Sequence, residues 1–130
     1  KLNLSIQKIF DQNGEAFFRH MEEKITLEEI KKNNRVISLG GGAIMNAKIR
    51  NYVVSQTKSF WLSLDVDQLS KRLDASKKRP LLVDKNIKLT LEKIYKERKK
   101  IYSLANFKID CNNLNTNLIV SKIVKLYKND

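Results

Sequence analysis

A chain of 130 residues that is 42% hydrophobic and 31% charged is large enough to close one hydrophobic core, which predicts a single domain over residues 1–130 and excludes a disordered tail. No apolar run approaches the roughly 20 residues that span a bilayer, so no membrane partner is expected. The net charge of +12 raises the question of nucleic acid. Lysines, however, alternate with acids over residues 27–32 and 91–97, the pattern of a solvated helix face, and no nucleic-acid partner is expected.

In chain order, Ser5 caps a short helix reaching Phe10. Gly14 and Glu15 open a longer helix whose Phe18, Met21 and Ile25 share an apolar face; it ends near Lys32 at the breakers Asn33 and Asn34. Residues 35–39 read as a short buried strand stopped by three glycines, Gly40, Gly41 and Gly42. A helix follows over residues 47–55, then a second buried strand over 59–66 carrying Trp61. Asp65 or Asp67 caps a helix ending at Leu73. Beyond the polar residues 74–78 comes Arg79-Pro80-Leu81-Leu82, which reads as a mobile loop or lid. A long helix covers 87–104, a last strand 107–111 and a turn 112–115. Leu118, Ile119, Ile123, Val124 and Leu126 mark an amphipathic closing helix. Short apolar strands alternating with helices predict a parallel sheet with helices on both faces. Ligands of such sheets bind beyond the carboxyl ends of the strands, which here points to residues 40–42 and to the loop beginning at Asn112.

Single residues sharpen this reading. Cys111 is the only cysteine, so no internal disulfide exists, and a structural role in a reducing, cytoplasmic setting is expected. The chain uses six arginines among many lysines, which draws attention to where the planar guanidinium fork is kept. Arg19 has Glu22 three residues on, on the same helical face; read alone the two form a surface ion pair, and the alternative is a partner that fixes the rotamer of Arg19. Arg79 sits beside the only proline, which fits either an exposed basic loop, the more common case, or a cation carried onto a ligand by closure. Arg98 lies among lysines, and read alone it belongs to a solvated basic face. The glycine triplet lets backbone N–H groups approach a ligand closely, yet its spacing fits neither G-x-x-x-x-G-K-[ST] nor G-x-G-x-x-G.

The order of these motifs resembles the shikimate kinases, small P-loop kinases that phosphorylate shikimate in aromatic amino-acid synthesis. Ser5-Ile6 to Phe10, Gly14-Glu15, Phe18-Arg19 and Glu22 are similar to one family stretch, Ser38 to Ala43 to its glycine-triplet strand end, Arg79 to Leu82 to its lid, and Arg98, Tyr102 and Ala105 to one of its helices. The resemblance implies an α/β fold, a three-layer α/β/α parallel sheet of the P-loop kinase type. It implies a monomer that transfers the γ-phosphoryl of ATP to a hydroxyl of shikimate, with Mg²⁺ required. Arg19 and Arg98 would bind the carboxylate, the backbone of Gly41 the ring hydroxyls, and Glu22 would orient the arginines. Arg79 would be the catalytic residue on the ATP phosphates, and Arg72 would lie against the adenine. The family's phosphate loop is not found in residues 1–130. With the opening on Lys1, this predicts that a βαβ unit of about 30 residues is missing and that the segment alone is inactive. The loop at residues 112–116 holds no Arg and no Pro, a departure from the family's adenine-edge loop. The competing readings are another small-molecule P-loop kinase such as a gluconate kinase, a regulator without a phosphate loop, and a basic nucleic-acid-binding module.

Overall fold

The computed structural model describes residues 5–74 and 87–129. Two compact units divide the chain between Ser55 and Gln56.

In the first unit, Ser5 is extended and its hydroxyl accepts from Lys8 N at 3.3 Å, starting α1 (Ile6–Ile30). Gly14 leaves helical geometry at φ 78° and ψ 171°, a conformation glycine adopts without a Cβ penalty. The helix is therefore two segments joined at a kink, as the sequence predicts, with the Phe10 and Phe18 rings 4.7 Å apart across it. Asn34, at φ 56°, stands just beyond the helix's end. The predicted apolar face needs correcting: Ile25 is 41% exposed. Phe18 and Met21 are half-buried as expected, and beside them the line Arg19, Glu23, Leu27 and Ile30, one turn apart each, leads from half-buried positions to the buried Ile30.

Residues 35–39 are a second correction. They form no strand, and Val36 is fully exposed. A strand needs a neighbour to share its N–H and C=O groups, and among the described residues the sheet has only two strands, neither of them this segment. The chain then turns through a short 3₁₀ helix (Ala43–Met45) into α2 (Ala47–Gln56). Ile30, Ala43, Ile49 and Val53 make the core of this unit, with Leu27, Leu39, Ile44 and Tyr52 packed on it.

The second unit is built on two parallel strands, β1 (Phe60–Ser63) and β2 (Phe107–Asp110), with Phe60 opposite Phe107 and Ser63 opposite Asp110. β1 is shorter than the predicted 59–66, because Val66 already begins α3 (Val66–Asp74). α4 (Ile87–Tyr102) precedes β2, and α5 (Thr116–Asn129) follows it. Side chains alternate across the sheet. On one face Trp61 meets Tyr95 and Tyr102 of α4, with ring centroids 6.5 and 6.0 Å apart. On the other, Leu64, Ile109 and Cys111 form a core with Ile119, Ile123 and Leu126 of α5. Helices thus cover both faces, in the α/β arrangement with a parallel sheet predicted from the sequence. Leu118 and Val124, marked as part of the closing helix's apolar face, point outward instead.

Two asparagines close the ends of the strand pair. Asn106 Oδ1 accepts from Ser59 N at 2.9 Å and from Ser59 Oγ at 2.6 Å, while Ser59 Oγ accepts from Asn106 N at 3.1 Å. At the carboxyl ends, Asn112 Oδ1 accepts from Asp65 N at 3.1 Å. A two-stranded pair has few ladder bonds of its own, so these clamps matter in proportion. Asn106→Ala removes the two bonds accepted by Oδ1 and keeps the one donated by the backbone N–H, and unfolding in urea should show a loss of about 1–2 kcal/mol with unchanged m-value. An unchanged midpoint would mean the clamp is idle.

Candidate functional site

The site in the first unit starts from the kink. By breaking the helix at Gly14, the chain places Glu15 at the head of a new segment, one turn before Arg19 and two before Glu22. Arg19 Nη1 donates to Glu22 Oε2 at 2.7 Å, and Nε and Nη2 donate to Glu15 Oε1 at 3.3 and 3.2 Å. The guanidinium is thus gripped on two edges, with one N–H on each terminal nitrogen left to a ligand. Its side chain is 35% exposed and that of Glu22 20%, so the pair lies at the border of core and solvent. Burial opposes the charge on Arg19, but the hydrogen bond and charge of Glu22, followed by those of Glu15, outweigh it and raise the pKa above its ordinary value.

Gly42 lies against this guanidinium. A Cβ at Gly42 would stand 2.9 Å from Arg19 Nη1 and 3.4 Å from Cζ and Nη2, so only glycine lets the backbone come so near. A Cβ on Gly40 would fall 3.9 Å from Glu22 Oε1. The turn is tight: Ala43 N donates to Gly40 O at 2.9 Å, and Met45 N to Gly42 O at 3.1 Å. Gly41 is the exposed residue between them. The sequence-predicted Arg19, Glu22 and glycine turn therefore do come together.

The next residue of α1 ties down the far side of the turn. Glu23 accepts from Asn46 Nδ2 at 2.6 Å and from Lys48 Nζ at 2.7 Å, while Asn46 Oδ1 caps α2 by accepting from Lys48 N and Ile49 N at 2.9 and 3.2 Å. Sequence reasoning passed over both Glu15 and this tie. The i,i+4 spacing of Glu15 to Arg19 and an asparagine placed to cap the helix at Ala47 were the available signals.

Arg98 stands on α4 in the second unit, and its position corrects the reading of it as part of a solvated face. The half-buried line of α4 is Leu91, Ile94, Tyr95, Arg98, Ile101 and Tyr102, while Lys93, Lys96, Glu97, Lys99 and Lys100 face solvent. Arg98 thus shares the line of the two tyrosines that meet Trp61. Arg72 is exposed on α3. Arg79, with Pro80, Leu81 and Leu82, lies outside the described residues. Cys111 is buried, and its thiol is pushed up first by burial and then by the charge of Asp110, as befits a packing residue and not a nucleophile. Among the described residues, no three His, Cys, Asp or Glu side chains are grouped to hold a metal ion, and no helix is long and apolar enough to cross a membrane.

Comparison with known proteins gives one family throughout. The family model described as shikimate kinase matches residues 1–128. Shikimate kinase of Bartonella henselae (strain Houston 1) is 34% identical over 94% of this chain and 58% of its own length, and that of Aquifex aeolicus (strain VF5) is 36% identical over 82% and 62%. The chain spans about three fifths of the length of these curated relatives. Among solved structures, the shikimate kinase from Acinetobacter baumannii in complex with shikimate aligns with a TM-score of 0.89 at 28% identity, covering 96% of this chain and 70% of that one. The Aquifex aeolicus enzyme aligns at 0.77 with 31% identity, covering 97% and 74%. The α/β parallel-sheet fold is therefore that of the P-loop shikimate kinases.

Two outcomes follow from the geometry. Gly42 has φ −83°, which alanine adopts freely, so Gly42→Ala should hold its thermal midpoint within about 3 °C while pushing the Arg19 guanidinium off the turn. A crystal structure of the variant reads the displacement, and an unmoved Arg19 would contradict the packing. Glu23 is held below its ordinary value of 4.5, first by the Lys48 hydrogen bond and then by that of Asn46. A depressed carboxyl contributes stability above its unfolded pKa and loses it as pH falls through the folded one. The stability gap between the parent and Glu23→Gln should therefore be constant near neutrality and close below about pH 4.5. Urea unfolding at several pH values measures it, and a pH-independent gap would rule out the ionised tie.

Proposed function

The chain belongs to the shikimate kinase family, and from that premise we propose that the whole protein transfers the γ-phosphoryl group of ATP to a hydroxyl of shikimate, with Mg²⁺, as a cytoplasmic monomer. The two units are read as parts of one kinase domain. The observation that carries the proposal is the gripped guanidinium of Arg19 lying on the backbone of Gly42, a cation held in one geometry beside the glycine turn.

Charge decides what else the acid site needs. Arg19 contributes one positive charge against the two negative charges of Glu15 and Glu22, so this trio alone repels a carboxylate. A second arginine brings these charges into balance and leaves the directed N–H donors to attract the acid, and the proposal gives that part to Arg98, which stands on the half-buried line of α4. In this proposal the two guanidinium groups hold the carboxylate of shikimate through charge-assisted hydrogen bonds, and the backbone at Gly41 meets the ring hydroxyls. Holding the ring in this way presents one hydroxyl for attack, which is the greater part of what a protein contributes to phosphoryl transfer. Arg79 is proposed to neutralise charge on the ATP phosphates during transfer. Among the described residues no three His, Cys, Asp or Glu side chains are grouped around a place for Mg²⁺.

A G-x-x-x-x-G-K-[ST] loop does not occur in residues 1–130, so the proposal for these residues by themselves is acid binding without transfer. Steady-state kinetics on the intact protein and on residues 1–130 test this, and full activity from the segment would refute the division. For the acid site, Arg98→Lys and Arg19→Lys should each raise KM for shikimate about tenfold or more, with KM for ATP little changed. An unchanged KM for shikimate in Arg98→Lys would remove Arg98 from the carboxylate.

A further inference from the structure

Arg19 and the glycine turn come from distant parts of the sequence, and their contact is a packing contact that does not fix direction. Directional bonds between α1 and this turn come from Glu23. Both of its oxygens are engaged: Oε2 by Asn46 Nδ2 at 2.6 Å and Oε1 by Lys48 Nζ at 2.7 Å, across 23 and 25 residues of chain. Asn46 is rigidly placed in turn. Its backbone N–H donates to Ala43 O at 3.1 Å, closing the 3₁₀ turn that begins at the glycines, and its Oδ1 caps α2. The amide orientation follows from its partners, since two backbone N–H donors demand the oxygen and a carboxylate demands the nitrogen. The chain thus runs rigidly from Glu23, one residue after the Arg19 partner Glu22, through Asn46 to the turn at residues 40–43.

We infer that Glu23, with Asn46 and Lys48, is a positioning residue that holds the glycine turn where Arg19 lies on it, and so sets affinity for the acid and not the rate of transfer. This rests on the reading that Arg19 and the turn bind shikimate. The simpler account makes the tie an ordinary surface ion pair, which contributes little to stability and nothing to binding. The two accounts separate because Asn46 has two jobs that one substitution can divide. Asn46→Ser keeps a hydroxyl to cap α2 but loses the donor to Glu23.

The test is steady-state kinetics on the intact protein, varying shikimate and ATP separately. Asn46→Ser and Glu23→Ala should each raise KM for shikimate about fivefold or more, with kcat and KM for ATP within about twofold. Glu23→Gln, whose carbonyl still accepts from Asn46, should recover most of that loss, and the Glu23→Ala/Asn46→Ser pair should be no worse than either single change. A lowered thermal midpoint with KM for shikimate unchanged in both single variants would overturn the inference. Arg19→Lys measured in parallel separates the two failures. If it raises KM and Asn46→Ser does not, the inference alone falls; if it also leaves KM unchanged, the acid site falls and the inference with it.

Discussion

A guanidinium that must meet a carboxylate in one orientation has to be held before the carboxylate arrives, and Arg19 is held by two acids of its own helix and by a glycine turn from another part of the chain. Magnitudes weigh against a purely stabilising role for this arrangement. Pairs of this type on a helix surface contribute about 0.3–0.5 kcal/mol each, too little to justify them as stabilising devices. Two of them on one side chain, with a backbone pressed against it, instead remove rotamer freedom from a residue that otherwise carries up to about 2 kcal/mol of it. The entropy of ordering Arg19 is then met in folding and not in binding.

The rest of the first unit follows from that constraint. Gly14 must break the helix so that Glu15 begins a fresh segment in phase with Arg19. Gly42 must lack a Cβ. Glu22 and Glu23, adjacent in sequence, divide their work between the arginine and the cap of α2. The second unit meets a parallel need by other means. Its two strands are clamped at both ends by Asn106 and Asn112, and Trp61 fixes the tyrosine line of α4 on which Arg98 stands.

Much of this was legible in the sequence, and the failures have identifiable causes. Ser5, Gly14 and Asn34 announced the ends and the kink of α1 because capping and positive φ belong to particular residue types. The parallel pair was legible from two short apolar runs. The segment at residues 35–39 was misread because an apolar run specifies a preference for extended backbone, whereas a strand also needs a neighbour, which a run cannot reveal. Ile25 was misplaced because helical spacing does not say which of two neighbouring lines lies deeper, and the line of Arg19, Glu23, Leu27 and Ile30 is the one that ends in the core. Arg98 was hidden by its lysine neighbours. Only the tyrosines three residues before it and four after it marked its face, and they acquire that meaning once Trp61 is seen against them. The tie from Glu23 to Asn46 joins residues whose proximity depends on the fold, so the capping position of Asn46 was legible but its partner was not.

Because the central claim is that Arg19, fixed against the glycine turn, receives the acid, a crystal structure of the intact protein with shikimate tests it most directly. The account predicts carboxylate oxygens within hydrogen-bonding distance of Arg19 Nη1 or Nη2, with Glu22 still in contact and the turn at Gly42 unmoved. Shikimate bound with its carboxylate away from Arg19, or an Arg19 that leaves Glu22 to reach it, would contradict the account.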